Sequence, residues 1–212
     1  MSVILRIDPK EPFDNDIAQA VEFLRRGEVI AYPTETIYGL GADVLNKKAI
    51  KKIYDLKARD YGLPISILVA DLAMLREYVL DVPDQAISLM RRFWPGALTI
   101  LFPASNKIPK GLVTNTGRVG IRISSHPIAA ALVKAFGKPI TTTSANLSGF
   151  PPSLSVKHIQ KYFGDKIPCI IDGGDCEPSR GSTVVDVGEE TMRIIREGRI
   201  PAEEVIRCFQ GS

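Results

Sequence analysis

Tyr32-Pro33-Thr34-Glu35-Thr36-Ile37-Tyr38-Gly39-Leu40-Gly41-Ala42 is the stretch on which the reading of this chain turns, and it leads into a basic segment that closes on Lys57-Ala58-Arg59. The apolar run from Val29 to Tyr32 reads as a buried strand. Pro33 has no N–H to give a sheet ladder, so the strand should end there. Beyond it, the hydroxyls of Thr34, Thr36 and Tyr38 alternate with other residues, and Gly39 and Gly41 can let a backbone pass close to a ligand. Hydroxyls and free backbone N–H groups suit the oxygens of phosphate or carboxylate. Asn46 is a good N-cap for the helix that follows, and Ile50, Ile53 and Tyr54 recur at the spacing of its buried stripe. Lys57 falls where that stripe would continue, so its amine should extend past the helix end, and Arg59 follows as the helix gives out. Such cations beside a hydroxyl-rich loop suggest a polyanion pocket. A plainer alternative stands beside it, in which Lys57 lays its stem along the core and Arg59 complements the helix C-terminus.

The chain has 212 residues, 45% hydrophobic and 24% charged, which is enough for one domain, residues 1–212, with a substantial core. A formal charge of +3 is compatible with anionic ligands and too small by itself to argue for nucleic acid. Cys169, Cys176 and Cys208 lack metal-ligand spacing and read as reduced thiols. No apolar run reaches membrane-spanning length, and residues 1–12 carry acids and prolines rather than a signal-peptide pattern. A cytoplasmic protein with no membrane partner is the expectation.

In chain order, Asp14, Asn15 or Asp16 can cap a first helix with Ile17, Val21 and Leu24 on one face and Gly27 at its end. After the basic helix, Ile65 to Val69 reads as a strand, Asp71 caps a short helix through Tyr78, and Pro83 begins another that Trp94-Pro95-Gly96 stops. Leu98 to Phe102 is a further strand. Arg118 to Ile123 alternates: Val119, Ile121 and Ile123 point one way, Arg118, Gly120 and Arg122 the other. Arg122 therefore either serves a bound anion or faces solvent. His126-Pro127 opens a helix to Phe136, with Gly137 after it. Ile140 to Thr143 is a threonine-rich strand leading into Ser144-Ala145-Asn146-Leu147-Ser148-Gly149. Ser155 caps a helix ending at Gly164, Cys169 to Ile171, Val184 to Val187 and Ile194-Ile195 are strands, and Pro201 starts a helix through Phe209. Some strand pairs lie too close for helical crossovers, so the fold class is α/β with a twisted, mixed parallel and antiparallel sheet flanked by helices.

Several chemistries have no support. There is no Gly-x-x-x-x-Gly-Lys-Ser/Thr phosphate loop and no dinucleotide Gly-x-Gly-x-x-Gly after a strand. His126 and His158 are the only histidines, and each reads as structural or solvated, so a hydrolase triad and a paired-histidine metal site are poorly supported. What is left is Thr, Ser, Asn, Lys and Arg in loops after strand ends. That set suits a ligand in a strand-end crevice and can stabilise anionic charge without a covalent nucleophile.

The ordered set Pro33-Thr34-Glu35-Thr36-Ile37-Tyr38-Gly39-Leu40, Lys57-x-Arg59, Trp94-Pro95-Gly96-Ala97-Leu98-Thr99, Ile121-Arg122, Ser144-Ala145-Asn146-Leu147-Ser148-Gly149, Ile171-Asp172-Gly173-Gly174, Ser182-Thr183-Val184 and Arg196-Glu197-Gly198 resembles the YrdC family, the threonylcarbamoyl-AMP synthases. The resemblance implies a YrdC-like fold with a basic concave groove, in the short, single-domain form. It implies a nucleotidyltransferase that joins L-threonine, bicarbonate and ATP into threonylcarbamoyl-adenylate and releases pyrophosphate, with Mg²⁺ assisting. A partner transferase then modifies tRNA. The family's Lys-Arg-Ser-Asn tetrad maps to Lys57, Arg59, Ser144 and Asn146; related paralogues lack much of it, which favours the synthase. By the same matching, Lys57 and Arg59 are the catalytic cations that hold ATP phosphates. Ser144, Asn146, Ser148 and Arg196 complete the ATP site, and Arg122, Thr34, Tyr38 and Ser182 bind threonine; no metal ligand is assigned. On this reading, losing Lys57 should end synthesis with little loss of fold. Asp60, Leu63, Leu68 and Glu197 depart from residues that family members often carry. Two other functions compete: a carbamoyl-adenylate enzyme of protein maturation, and a non-catalytic RNA-binding module whose basic concave site holds a phosphate backbone, a point on which Lys47, Lys48, Lys51 and Lys52 are ambiguous. A solvated helix face explains those lysines equally well.

Overall fold

The strand expected before Pro33 is present as a three-residue strand with both faces buried, and the rest of the molecule is layered around it. The computed structural model describes residues 1–12, 14–61, 63–188 and 191–211. Its elements in chain order are β1 (Val3–Arg6), α1 (Asp14–Arg25), β2 (Ile30–Tyr32), β3 (Gly39–Gly41), α2 (Lys47–Lys57), β4 (Ile67–Leu68), α3 (Leu72–Tyr78), α4 (Asp84–Phe93) and β5 (Leu98–Pro103). They continue with β6 (Arg118–Arg122), α5 (Pro127–Phe136), β7 (Ile140–Thr141), β8 (Thr143–Ser144), α6 (Val156–Phe163), β9 (Cys169–Asp172), β10 (Thr183–Val187), β11 (Met192–Arg196) and α7 (Ala202–Gln210).

The α/β class with mixed pairing holds, but the strands divide between two sheets. One runs β1-β9-β2-β3-β8, the other β11-β10-β5-β6-β4-β7. In the first, β1 and β2 lie parallel to β9, while β3 is antiparallel to both β2 and β8. In the second, the β10–β5 and β4–β6 pairs are parallel and the others antiparallel. The single strand expected over Ile140 to Thr143 is the seam. Ile140 and Thr141 pair with β4 in one sheet, and Thr143 and Ser144 pair with β3 in the other. Thr142 sits between them, its N–H donating to Ser66 O at 2.7 Å. The cavity described below opens beside this segment, where the two sheets part.

Two apolar clusters hold the layers. Alternation along β2 sends Val29 and Ala31 into one and Ile30 and Tyr32 into the other, as the two-residue period of a doubly buried strand requires. The smaller cluster is closed by Ile17, Val21 and Leu24 of α1 against Ile128, Leu132 and Val133 of α5. Three local details differ from expectation. β1 is an unforeseen edge strand with only Leu5 buried, so no apolar alternation marks it. The Ile65–Val69 strand contracts to Ile67–Leu68. α1 already begins at Asp14, so Asn15 and Asp16 lie inside its first turn rather than capping it. Trp94 ends α4 as expected, and it anchors the turn by donating Nε1–H to Leu98 O at 2.7 Å beside Phe102. Among the described residues no helix is long and apolar enough to cross a membrane.

Candidate active site

The cavity at the seam has a volume of about 510 Å³. Thr34 and Thr36 line it from the loop after β2, Gly120 and Arg122 from β6, Thr142, Ser144 and Asn146 from the seam, Ser182 and Arg196 from the β10–β11 side, and Arg59 from the end of α2. Each wall follows from local sequence. Thr34 Oγ1 donates to Ile37 O at 2.7 Å and accepts from the N–H groups of Thr36 and Ile37 at 3.2 Å, folding the loop into a threonine turn. Gly120 leaves space on β6: a Cβ there would stand 2.7 Å from Ser66 Oγ. Gly41 serves packing rather than ligand approach, since its Cβ would meet the Tyr32 ring at 2.8 Å.

Asn46 caps α2 as expected, accepting from Lys48 N and Ala49 N. The helix ends at Ala58 in a left-handed turn with φ 46° and ψ 47°, a conformation that disfavours residues with a Cβ. That turn separates the two cations. Lys57 points inward and is 1% exposed. Its Nζ donates to Ser144 O at 2.5 Å, Asn146 O at 2.8 Å and Asn146 Oδ1 at 3.0 Å. Burial, and secondarily the charge of Arg59, push its pKa down to about 7. Three acceptors require three N–H bonds, so the geometry is that of the ammonium. Lys57 thus builds the Ser144–Asn146 wall from behind instead of projecting into the cavity. Removing it would break these three buried hydrogen bonds, which bears on the expectation that it could be removed with little loss of fold. Arg59 turns the other way, with Nε and Nη2 donating to Leu63 O and Pro64 O at 3.3 and 3.2 Å.

Arg122 is 3% exposed and extends from β6 into the wall. Nη1 donates to Glu35 Oε1 at 2.5 Å, Nη2 donates to Thr142 Oγ1 at 3.3 Å, and Nε is buried without a partner among the described residues. Arg196 Nη2 donates to Ser182 O at 2.7 Å and reaches Ser182 Oγ at 3.3 Å. Partial enclosure, then the positive charges of Arg122 and Arg59, lower the Arg196 pKa, which places the three guanidinium groups in one field. Among the described residues, none that lines the cavity is Asp or Glu. The site can therefore receive a polyanion and surround it with hydroxyl and amide dipoles.

A profile of the Sua5/YciO/YrdC family, described as "Telomere recombination", matches residues 22–198. The chain belongs to the Sua5/YciO/YrdC family. It is 39% identical over 186 residues to the threonylcarbamoyl-AMP synthase of Pyrococcus abyssi, covering 88% of this chain and 55% of that protein. It is 40% identical over 197 residues to the threonylcarbamoyl-AMP synthase of Bacillus subtilis, covering 91% of this chain and 56% of that one. The chain thus spans about half the length of these relatives. The crystal structure of P. abyssi Sua5 complexed with L-threonine superposes with a TM-score of 0.93 at 36% identity, covering 98% of this chain and 61% of that chain.

Of the residues singled out in this Sua5/YciO/YrdC sequence, Thr34, Arg59, Arg122, Ser144, Asn146, Ser182 and Arg196 line the cavity, while Lys57, Tyr38 and Ser148 do not. Tyr38 is fully buried and its hydroxyl donates to Gly174 O at 2.8 Å while accepting from Gly173 N, so it fastens a turn behind the wall. Ser148 is exposed, and its N–H donates to Lys57 O at 2.9 Å, closing the end of α2. Among the departures, Leu68 is core, and Leu63 is 50% exposed, with its carbonyl rather than its side chain holding Arg59. Asp60 and Glu197 are exposed. Sequence reasoning missed Ser66, Gly120, Thr142 and Arg180 as lining residues. The alternation of Arg118 to Ile123 carried the signal for Gly120; Ser66 had none. Lys51 and Lys52 lie on the exposed face of α2, paired with Asp55 and Glu28 at 2.7 Å, in line with the solvated-face alternative.

Proposed function

We propose that this chain is an L-threonylcarbamoyladenylate synthase, a nucleotidyltransferase that makes threonylcarbamoyl-AMP and pyrophosphate from L-threonine, bicarbonate and ATP for threonylcarbamoyladenosine modification of tRNA. The observation that carries the reading is the cavity with Arg59, Arg122 and Arg196 on its walls and no carboxylate among its described lining residues, in a chain so similar to threonylcarbamoyl-AMP synthases. The reaction needs no protein nucleophile. The threonine amine attacks the carbon of bicarbonate, whose hydroxyl leaves as water with a proton from the amine to give a carbamate; a carbamate oxygen then attacks the α-phosphorus, and pyrophosphate leaves. The protein's work is positioning, neutralising charge and excluding water.

The placement of the residues supports the following roles. Arg59 and Arg196 reach the phosphates, Arg59 as a fork at the mouth. Ser144 and Asn146 contact the nucleotide, and Lys57 acts as the cation that holds both in register, with Ser148 closing the loop behind them. Arg122 takes the threonine carboxylate with Ser182 beside it, and the Thr34 turn and Tyr38 shape that end of the cavity. Mg²⁺ is expected with ATP. The described residues contain no cluster of three potential metal-ligating side chains, and the lining offers hydroxyls and amides rather than the carboxylates that Mg²⁺ favours. The residues therefore do not form a metal site of their own, and no step is routed through the ion. A threonylcarbamoyl transferase consuming the product is the partner this chemistry needs, in the cytoplasm where tRNA is modified. Pyrophosphate release from ATP that requires both threonine and bicarbonate tests the proposal. Binding of RNA with no such release would favour the RNA-binding alternative.

A further inference from the structure

Glu35 is not among the residues that line the cavity, yet its carboxylate grips the wall from behind at two points. Oε1 accepts from Arg122 Nη1 at 2.5 Å, and Oε2 accepts from Ser124 Oγ. The backbone carbonyl of Glu35 accepts from Arg199 Nη1, so the residue is also tied to the segment after β11. The Arg122 and Glu35 side chains are 4% and 14% exposed. A pair buried this deeply is a poor device for stability alone, because desolvation consumes much of the Coulomb gain and apolar side chains of similar volume would fasten the loop as well. Its effect on the cavity is specific. Arg59 and Arg196 make contacts only to carbonyl and hydroxyl oxygens among the described residues, so their charge is not neutralised by a carboxylate. Arg122 alone of the three is paired with a carboxylate, with one nitrogen committed to Glu35 and the guanidinium plane fixed between Glu35 and Thr142. A multiply charged phosphate chain gains most from cations that are not neutralised, whereas a single carboxylate gains from a fork held in the right plane.

We infer that Glu35 is a positioning residue that orients and neutralises Arg122, reserving it for the amino-acid carboxylate and leaving Arg59 and Arg196 to the phosphates. The inference rests on the synthase reading for the identity of the ligands, while the hold of Glu35 on Arg122 is testable without them. The test compares wild type with E35A and E35Q by KM for L-threonine and for ATP, measured through pyrophosphate release. It also compares the ¹⁵N guanidinium spectrum of each protein without ligand, with the Arg122 signal assigned by its loss in R122K. E35A is expected to raise the threonine KM by about tenfold or more, with the ATP KM moving less than about twofold. The Arg122 signals, separate and sharp in wild type, should collapse as the side chain rotates freely. E35Q retains an oxygen for Nη1, so it should fall between the two, and it carries the comparison if E35A does not fold. An unchanged threonine KM, an equal rise in both KM values, or an Arg122 spectrum unmoved by either substitution overturns the inference. Absence of threonine-dependent pyrophosphate release in wild type would instead overturn the synthase reading, and the ligand-free spectra would still decide whether Glu35 orients Arg122.

Discussion

Replacing Lys57 by methionine should separate its structural from its electrostatic contribution. Methionine matches the buried stem closely, so the volume change alone should cost less than about 1.5 kcal/mol. The lost ammonium matters more, because it leaves Ser144 O, Asn146 O and Asn146 Oδ1 without the donor that stands 2.5 to 3.0 Å away. Leaving a buried neutral acceptor without its donor typically costs about 1–3 kcal/mol. Against that stands relief from burying a charge, the reason the pKa falls to about 7. A net loss of roughly 1–3 kcal/mol at pH 7 is expected from these opposing terms.

The sign of the pH dependence is fixed by linkage. The folded pKa of Lys57 lies below the unfolded value of about 10.4, so between the two the unfolded chain binds more protons and stability rises with pH. The burial cost is fully present below pH 7 and is relieved as pH climbs toward 10. K57M lacks the group, so the stability gap between wild type and K57M should widen from pH 7 to pH 9, by at most roughly 1.4 kcal/mol per pH unit. Urea unfolding followed by circular dichroism at pH 6.5, 7.5, 8.5 and 9.5, as about evenly spaced points across this window, measures the gap. Turnover should fall at least about 100-fold, because the Ser144–Asn146 wall loses its tie. A variant as stable as wild type with normal turnover, or a gap that narrows as pH rises, would refute this account of Lys57.

Arg122→Lys keeps a charge but loses the fork, so titration calorimetry should show L-threonine binding about tenfold weaker and ATP binding nearly unchanged. Gly41→Ala places a Cβ 2.8 Å from a Tyr32 ring whose hydroxyl is fixed to Thr141 O at 3.0 Å. It should destabilise by about 1–3 kcal/mol, lowering Tm by roughly 2–4 °C for each kcal/mol in a thermal melt. If a hydroxyl of the Thr34–Thr36 or Ser182–Thr183 loops reads the substrate hydroxyl, competition kinetics should rank kcat/KM as threonine, then serine about 10- to 200-fold lower, with valine roughly 10⁴-fold below threonine.

The sequence was most legible where one residue type leaves few structural choices. Pro33 ended its strand, Asn46 capped α2, and Gly137 closed α5 in a left-handed conformation with φ 71°. The face of β6 bearing Gly120 and Arg122 was read from a two-residue period and does line the cavity. What was not legible depends on contacts distant in sequence. Nothing in Ile140 to Thr143 announces that the strand changes sheets at Thr142, because β propensity is the same for either partner. The inward turn of Lys57 hinges on Ala58, an ordinary residue in a left-handed conformation that propensity argues against. Glu35 reads as one polar residue in a hydroxyl-rich loop until the fold brings Arg122, 87 positions away, against it. β1 has no apolar period to find, since only Leu5 meets the core.

The most direct test of the central claim is the mass of the product. The purified chain is incubated with ATP, L-threonine and either ordinary or ¹³C-labelled bicarbonate, and the nucleotide products are analysed by mass spectrometry. The account predicts a species with the mass of threonylcarbamoyl-adenylate that gains one mass unit with labelled bicarbonate, appears with equimolar pyrophosphate and is absent when threonine is omitted. ATP turnover that yields no carbon-labelled adenylate, or no turnover under any combination of the three substrates, would contradict it.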